Sequence, residues 1–170
     1  MTEKRRGRPQ RGLCTMLMTI VLTLCGLAAA SPARAADGLF IYNLSSGSCM
    51  VDPYGGQGKY AQLQPCQDTP SHLWQPQCDA DPCNVVKLAN LASGRCLQDV
   101  FEGLHPRFAT CSASAPEQKW SLSLTTDGWY IWSTFTRRCL GRYSGPQGPE
   151  VRFTACGPDP EKRWNLQRVI

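Results

Sequence analysis

The apolar residues of this chain fall in short alternating runs, not at helical spacing. No window of a dozen residues keeps apolar side chains three and four apart, as an amphipathic helix requires. Runs rich in β-formers recur instead, broken by Gly, Pro, Ser, Asn and Asp. Residues 39–44 and 49–52 read as strands, and 60–66 alternates as a third before Trp74 closes the unit. Residues 121–124 and 129–132 flank Asp127-Gly128, a hairpin signal. A further unit restarts at Val85, and residues 151–156 and 163–166 supply the last strands. The pattern predicts an all-β fold.

These runs belong to one unit written three times. Each copy has a Cys followed by an apolar residue, a turn bearing Gly or Pro, a second Cys, and a Trp eight or nine residues later. The first cysteines, Cys49, Cys96 and Cys139, are spaced 47 and 43 apart. The second, Cys66, Cys111 and Cys156, are spaced 45 and 45, and Trp74, Trp120 and Trp164 are spaced 46 and 44. Three landmarks with one period indicate an internal repeat, whose units bury their apolar faces only by stacking on each other. About four short strands per repeat predict a pseudo-threefold β fold closing on itself. The three tryptophans are core candidates, with Leu63, Phe108 and Phe153 at matching places. Asn43 and Asn90 each precede the first Cys of their unit by six residues, and Ser133 takes that place in the third. Asn43-Leu44-Ser45 is a glycosylation sequon, but the second copy lacks it, so a shared turn explains the Asn better.

The start of the chain alters the reading of charge. Lys4, Arg5, Arg6, Arg8 and Arg11 precede an apolar run at 13–30, and Ala33-Arg34-Ala35 fits a cleavage site. Residues 1–35 therefore read as a cleaved signal peptide, with a membrane anchor as the less favoured reading of a marginal apolar run. A lipoprotein site at Cys25 and a twin-arginine signal fit less well. Six of the eighteen basic residues and one of the thirteen acidic ones lie in that leader, leaving twelve of each. A neutral mature chain gives no electrostatic ground for nucleic-acid binding. One domain over 36–170 is expected, with repeats at about 38–84, 85–128 and 129–170, and no membrane insertion after cleavage.

Eight cysteines remain in an exported chain, which implies an oxidising compartment and four disulfides. Each repeat carries its own pair: Cys49–Cys66, Cys96–Cys111 and Cys139–Cys156. Cys78 and Cys83 are left for each other, stapling the hairpin that Asp127-Gly128 turns in the second repeat. A zinc site lacks the usual spacing and histidines. Asp79 and Asp81 supply too few oxygens for calcium.

The pattern resembles the ricin B-type β-trefoil lectins, or QxW repeats. The residues that carry this are Cys-Leu at 96–97 and 139–140, the returning cysteines, and the closing tripeptides. Of these, Gln118-Lys119-Trp120 is a true QxW, whereas His72-Leu73-Trp74 and Lys162-Arg163-Trp164 vary it. The resemblance implies a disulfide-stapled β-trefoil that binds glycans in one shallow pocket per repeat. It also implies an Asp, an aromatic and an Asn at fixed places. Here those places hold Val51, Gln98 and Gly141, then Gln64, Ala109 and Thr154, then Ser71, Glu117 and Glu161. The pockets are degenerate. Substitutes stand nearby: Asp52 with Tyr54, Asp99 with Phe101, and Arg142 with Tyr143. A hydrogen-bonding group beside an aromatic face is the chemistry that holds a sugar.

The expected function is secreted, non-catalytic glycan binding. The alternative is a degenerate trefoil used for contact with a protein partner, as an inhibitor or a toxin-associated binding subunit. Catalysis is not expected: His72 and His105 are the only histidines, the cysteines are assigned to bridges, and no glycine-rich phosphate loop occurs. No cofactor or metal is implied.

Overall fold

The computed structural model describes residues 38–53, 55, 60–146 and 148–169. The signal peptide read over 1–35, with Cys25, lies outside the described residues, as does Tyr54. Among the described residues, no helix is long and apolar enough to cross a membrane.

Among the described residues, twelve strands form three sets of four. The first is β1 (Leu39–Asn43), β2 (Cys49–Val51), β3 (Gln62–Gln64) and β4 (Leu73–Cys78). The second is β5 (Val85–Asn90), β6 (Cys96–Gln98), β7 (Arg107–Ala109) and β8 (Trp120–Thr125). The third is β9 (Gly128–Ser133), β10 (Cys139–Gly145), β11 (Gly148–Thr154) and β12 (Trp164–Arg168). The outer strands of each set pair in a closed ring: β1 with β4, β4 with β5, β5 with β8, β8 with β9, β9 with β12, and β12 with β1. Closure leaves this ring without an edge. The inner strands form three hairpins, β2–β3, β6–β7 and β10–β11. A barrel with three capping hairpins is a β-trefoil.

Alternation on the strands turns corresponding residues of the three repeats into one core. Ile41, Leu88 and Ile131 form one layer, Met50, Leu97 and Leu140 a second, and Leu63, Phe108 and Phe153 a third. Trp74, Trp120 and Trp164 complete the core, each fully buried. Burial of each ring contributes on the order of 5 kcal/mol by area. Each indole Nε1 also donates to the carbonyl after the first Cys of its repeat: Met50 at 2.8 Å, and Leu97 and Leu140 at 2.9 Å. No buried donor is stranded at these positions. Trp74 does not end its unit; it lies inside β4, as Trp120 and Trp164 open β8 and β12. A short 3-10 turn with Pro at its start precedes each Trp strand: Pro70–His72, Pro116–Gln118 and Pro160–Lys162.

The repeated Asn builds a turn and ties neighbouring strands. Asn43 Nδ2 donates to the carbonyls of Glu161 and Arg163, and Asn90 Nδ2 to those of Ser71 and Leu73. Their Oδ1 atoms accept backbone N–H groups two residues on. Ser133 keeps the accepting role toward Phe135 and Thr136. The turn needs a left-handed residue, supplied by Gly47 and Gly94 at φ 65° and by Arg137 at φ 63°.

The four disulfides join Cys49 to Cys66, Cys78 to Cys83, Cys96 to Cys111 and Cys139 to Cys156. Three lie inside repeats. The fourth sits at the turn of the β4–β5 hairpin, the counterpart of the β8–β9 hairpin closed by Thr125 and Gly128.

Candidate functional site

The three capping hairpins carry the candidate recognition residues, and the side chain two positions after the first Cys distinguishes them. In the first hairpin this residue is Val51, fully buried. In the second it is Gln98, whose Oε1 accepts from Gln118 Nε2 at 3.1 Å. Gln118 also donates to the Thr110 carbonyl and accepts from the Ser112 N–H, so this polar knot is closed within the protein. In the third it is Gly141. A Cβ there would meet Thr154 Cγ2 at 3.0 Å and Lys162 Cγ at 3.5 Å. The third repeat has no side chain at this place, and Thr154 and Lys162 close in on the bare backbone instead.

A cleft of about 290 Å³ opens at this place. Gly141, Arg142 and Tyr143 from β10 form one side, and Arg152, Phe153 and Thr154 from β11 another. Glu161 and Lys162 of the third 3-10 turn face them, and Leu104 reaches in from the second repeat. The three positions that differ from the lectin pattern in this repeat, Gly141, Thr154 and Glu161, are thus together. Arg142 Nη1 donates to Glu161 Oε1 at 3.1 Å. The Arg152 guanidinium lies 3.5 Å from the Tyr143 ring centre and donates from Nη2 to Glu150 Oε2 at 3.3 Å. Another hollow of about 300 Å³, beside Gly38, Pro76 and Arg168, has no aromatic ring and a single charged side chain in its lining.

The acid–aromatic pairs fare differently. Arg142 and Tyr143 are brought together in the cleft as the sequence suggests. Asp52 is buried, with its N–H donating to the Ser71 carbonyl, and its partner Tyr54 lies outside the described residues. Asp99 is also buried and is committed to the third repeat. Its Oδ1 accepts from Arg138 Nη2 at 2.8 Å, and its Oδ2 accepts from the Thr136 hydroxyl. A carboxylate so spent has no lone pairs facing outward for a sugar hydroxyl. Phe101 parts from Asp99 and stands 70% exposed, edge-to-face with Phe135 at 6.1 Å.

Arg138 is the hub that sequence reasoning missed. Besides Asp99 it donates to the carbonyls of Gly103, Val100 and Phe101, and its Cζ lies 4.2 Å from the Phe153 ring centre. It therefore latches the 99–103 loop of the second repeat onto the third. Arg152 and Lys162 were missed too. Arg152 sits between Val151 and Phe153, both buried, so strand alternation alone would have turned it outward beside Tyr143.

His72 stands where Gln118 stands in the second repeat. Its Nδ1 lies 2.8 Å from the Thr69 hydroxyl. Burial pushes its pKa below the ordinary value, with the Pro65 carbonyl acting weakly the other way. The ring takes the place that the Gln118 amide holds in the second repeat.

No family model matches the chain, and no curated protein sequence matches it. Solved structures match it by fold. A chain of the cytolethal distending toxin from Actinobacillus actinomycetemcomitans superposes with a TM-score of 0.68 at 18% identity, over 80% of this chain and 94% of that one. The designed threefold-symmetric protein ThreeFoil gives 0.68 at 15% identity, over 78% and 99%. The Polyporus squamosus lectin, solved with Neu5Acα2-6Galβ1-4GlcNAc, gives 0.64 at 14% identity, over 78% of this chain and 49% of that one. At such identities the likeness is one of fold: this chain is a β-trefoil.

Proposed function

We propose that the chain is an exported, non-catalytic carbohydrate-binding module of ricin B type, and that the cleft of the third repeat is its binding site. The observation that carries this is a cleft of about 290 Å³ that brings Tyr143, Arg142 and Glu161 together beside the bare backbone of Gly141. Saccharides need a wall for their C–H faces and charged or polar groups for their hydroxyls. The cleft offers both, whereas Val51 and the Gln98–Gln118 pair occupy the corresponding places elsewhere. The site is thus single, not threefold, and its affinity is not raised by avidity within one chain. Four disulfides suit an exported chain. A broad glycan array probed with the mature protein tests the reading: retention of some glycan is expected, and Tyr143→Ala should abolish it. Absence of retention across the array, or retention untouched by Tyr143→Ala, refutes it.

A second reading, contact with a protein partner, is favoured by one feature. Phe101 and Phe135 are 70% and 46% exposed and are held together by the buried Asp99–Arg138 latch. A partner recovered from culture medium by the wild type, and lost with Phe101→Ser and Phe135→Ser, would support it.

A further inference from the structure

We infer that the third-repeat cleft selects saccharides that carry a negative charge, a carboxylate or a sulfate ester, over their neutral counterparts. This rests on the reading of the cleft as a glycan site and goes further in naming the ligand class. Three cations, Arg142, Arg152 and Lys162, line the cleft against one acid, Glu161. Two of the three have partners that face solvent, whereas Arg152 is held by the mostly buried Glu150. Arg142 pairs with Glu161, whose side chain is 53% exposed, and Lys162 with Asp159, 60% exposed. Ion pairs this open to water are weak, so an incoming anion can take the place of either carboxylate at little cost.

The two arginines are also incompletely satisfied by the protein. A guanidinium has five N–H donors. Arg142 donates once, to Glu161, and Arg152 once, to Glu150. The Nε of each is buried without a hydrogen-bond partner. Arg138, by contrast, distributes its donors over a carboxylate, a hydroxyl and three carbonyls. Arg138 is therefore built as structure, whereas Arg142 and Arg152 each commit one Nη to a carboxylate and line the cleft. Arginine pairs with planar anions through two parallel hydrogen bonds, which favours a carboxylate or sulfate over a hydroxyl. Leu104 and the Tyr143 ring supply the apolar wall that a bare inorganic anion would not use.

The test titrates the mature, disulfide-bonded chain by calorimetry with four probes. They are a neutral disaccharide of the lactose type, the same disaccharide capped by a carboxylated sugar, the same disaccharide bearing a sulfate ester, and inorganic sulfate. The charged saccharides are expected to bind at least about tenfold more tightly than the neutral one, with the advantage shrinking as salt is raised. Inorganic sulfate is expected to bind more weakly than the sulfated disaccharide. Arg142→Gln combined with Lys162→Gln should erase the advantage. If that variant does not fold, the charged-to-neutral ratio and its salt dependence in the wild type decide the matter. Equal affinity for neutral and charged probes, or a preference that survives in the variant, overturns the inference. Neutral binding that Tyr143→Ala removes would then leave the glycan reading standing. Failure of every saccharide on a broad array overturns both.

Discussion

Replacing Arg138 by methionine removes the guanidinium that lies over Phe153 and the charge that holds Asp99. The Asp99 side chain is fully buried, and Arg138 is 27% exposed. Loss of Nη2 leaves that carboxylate with the Thr136 hydroxyl alone, and the carbonyls of Val100 and Gly103 lose their donor. Breaking a buried pair from one side costs about 3–5 kcal/mol. Partial exposure of the guanidinium admits water, so the lower end applies, about 3 kcal/mol. Asp99→Ala removes the buried charge itself and leaves Arg138 its three carbonyls, so about 2 kcal/mol is expected. The double variant should cost about 3 kcal/mol, because the second change finds the pair already broken. The coupling energy is then about 2 kcal/mol. At roughly 4 °C per kcal/mol for a domain of this size, Arg138→Met should melt about 12 °C below the wild type. The assay is denaturant unfolding of all four proteins with disulfides intact. A cost below about 1 kcal/mol for Arg138→Met, or simple additivity in the double variant, would refute the role of Arg138 as the latch.

Other consequences follow from local geometry. Arg137 adopts the left-handed conformation that glycine supplies in the other repeats, so Arg137→Gly should stabilise by about 1 kcal/mol. A lower unfolding midpoint in that variant would instead credit the packing of its guanidinium on Trp132. His72 has a pKa below its ordinary value of 6.5, so below about pH 6.5 the unfolded chain takes up a proton that the fold resists. Stability should be complete above that pH and fall as pH drops toward the lowered folded value, and His72→Gln should remove that part of the slope. Unchanged pH dependence in the variant would contradict this. Asn43 is fully buried and its Nδ2 is already donating, so folded protein from a eukaryotic secretory host should carry no glycan there. Mass spectrometry of the Asn43 peptide checks this, and a glycan on folded protein would contradict it.

Much of the architecture was legible because repetition amplifies weak signals. A single Cys-apolar pair says little, but Trp74, Trp120 and Trp164 at one period name the core, and the in-repeat cysteines name their partners. Strand ends were less legible: Trp74 looks terminal because Pro76 follows, yet β4 runs on to Cys78 as the partner of β5. The site was readable only in part. Arg142 and Tyr143 stand beside the hairpin turn of β10–β11 and face the cleft. Asp99 misleads, because an acid near an aromatic reads alike whether it faces a sugar or a buried arginine. Only the fold brings Arg138 to it, 39 residues away in the chain. The cleft itself was not legible, because only the fold brings Leu104 of the second repeat against β10, β11 and the third 3-10 turn.

The most direct test of a single recognition cleft is an amide NMR titration of the mature chain with whichever glycan the array retains. Shifts should concentrate at Leu104, at 141–143, at 152–154 and at 161–162. Shifts concentrated around Val51, around Gln98 or at Phe101 and Phe135 would contradict it, and the cleft beside Gly141 would then be no more than a gap in a structural repeat.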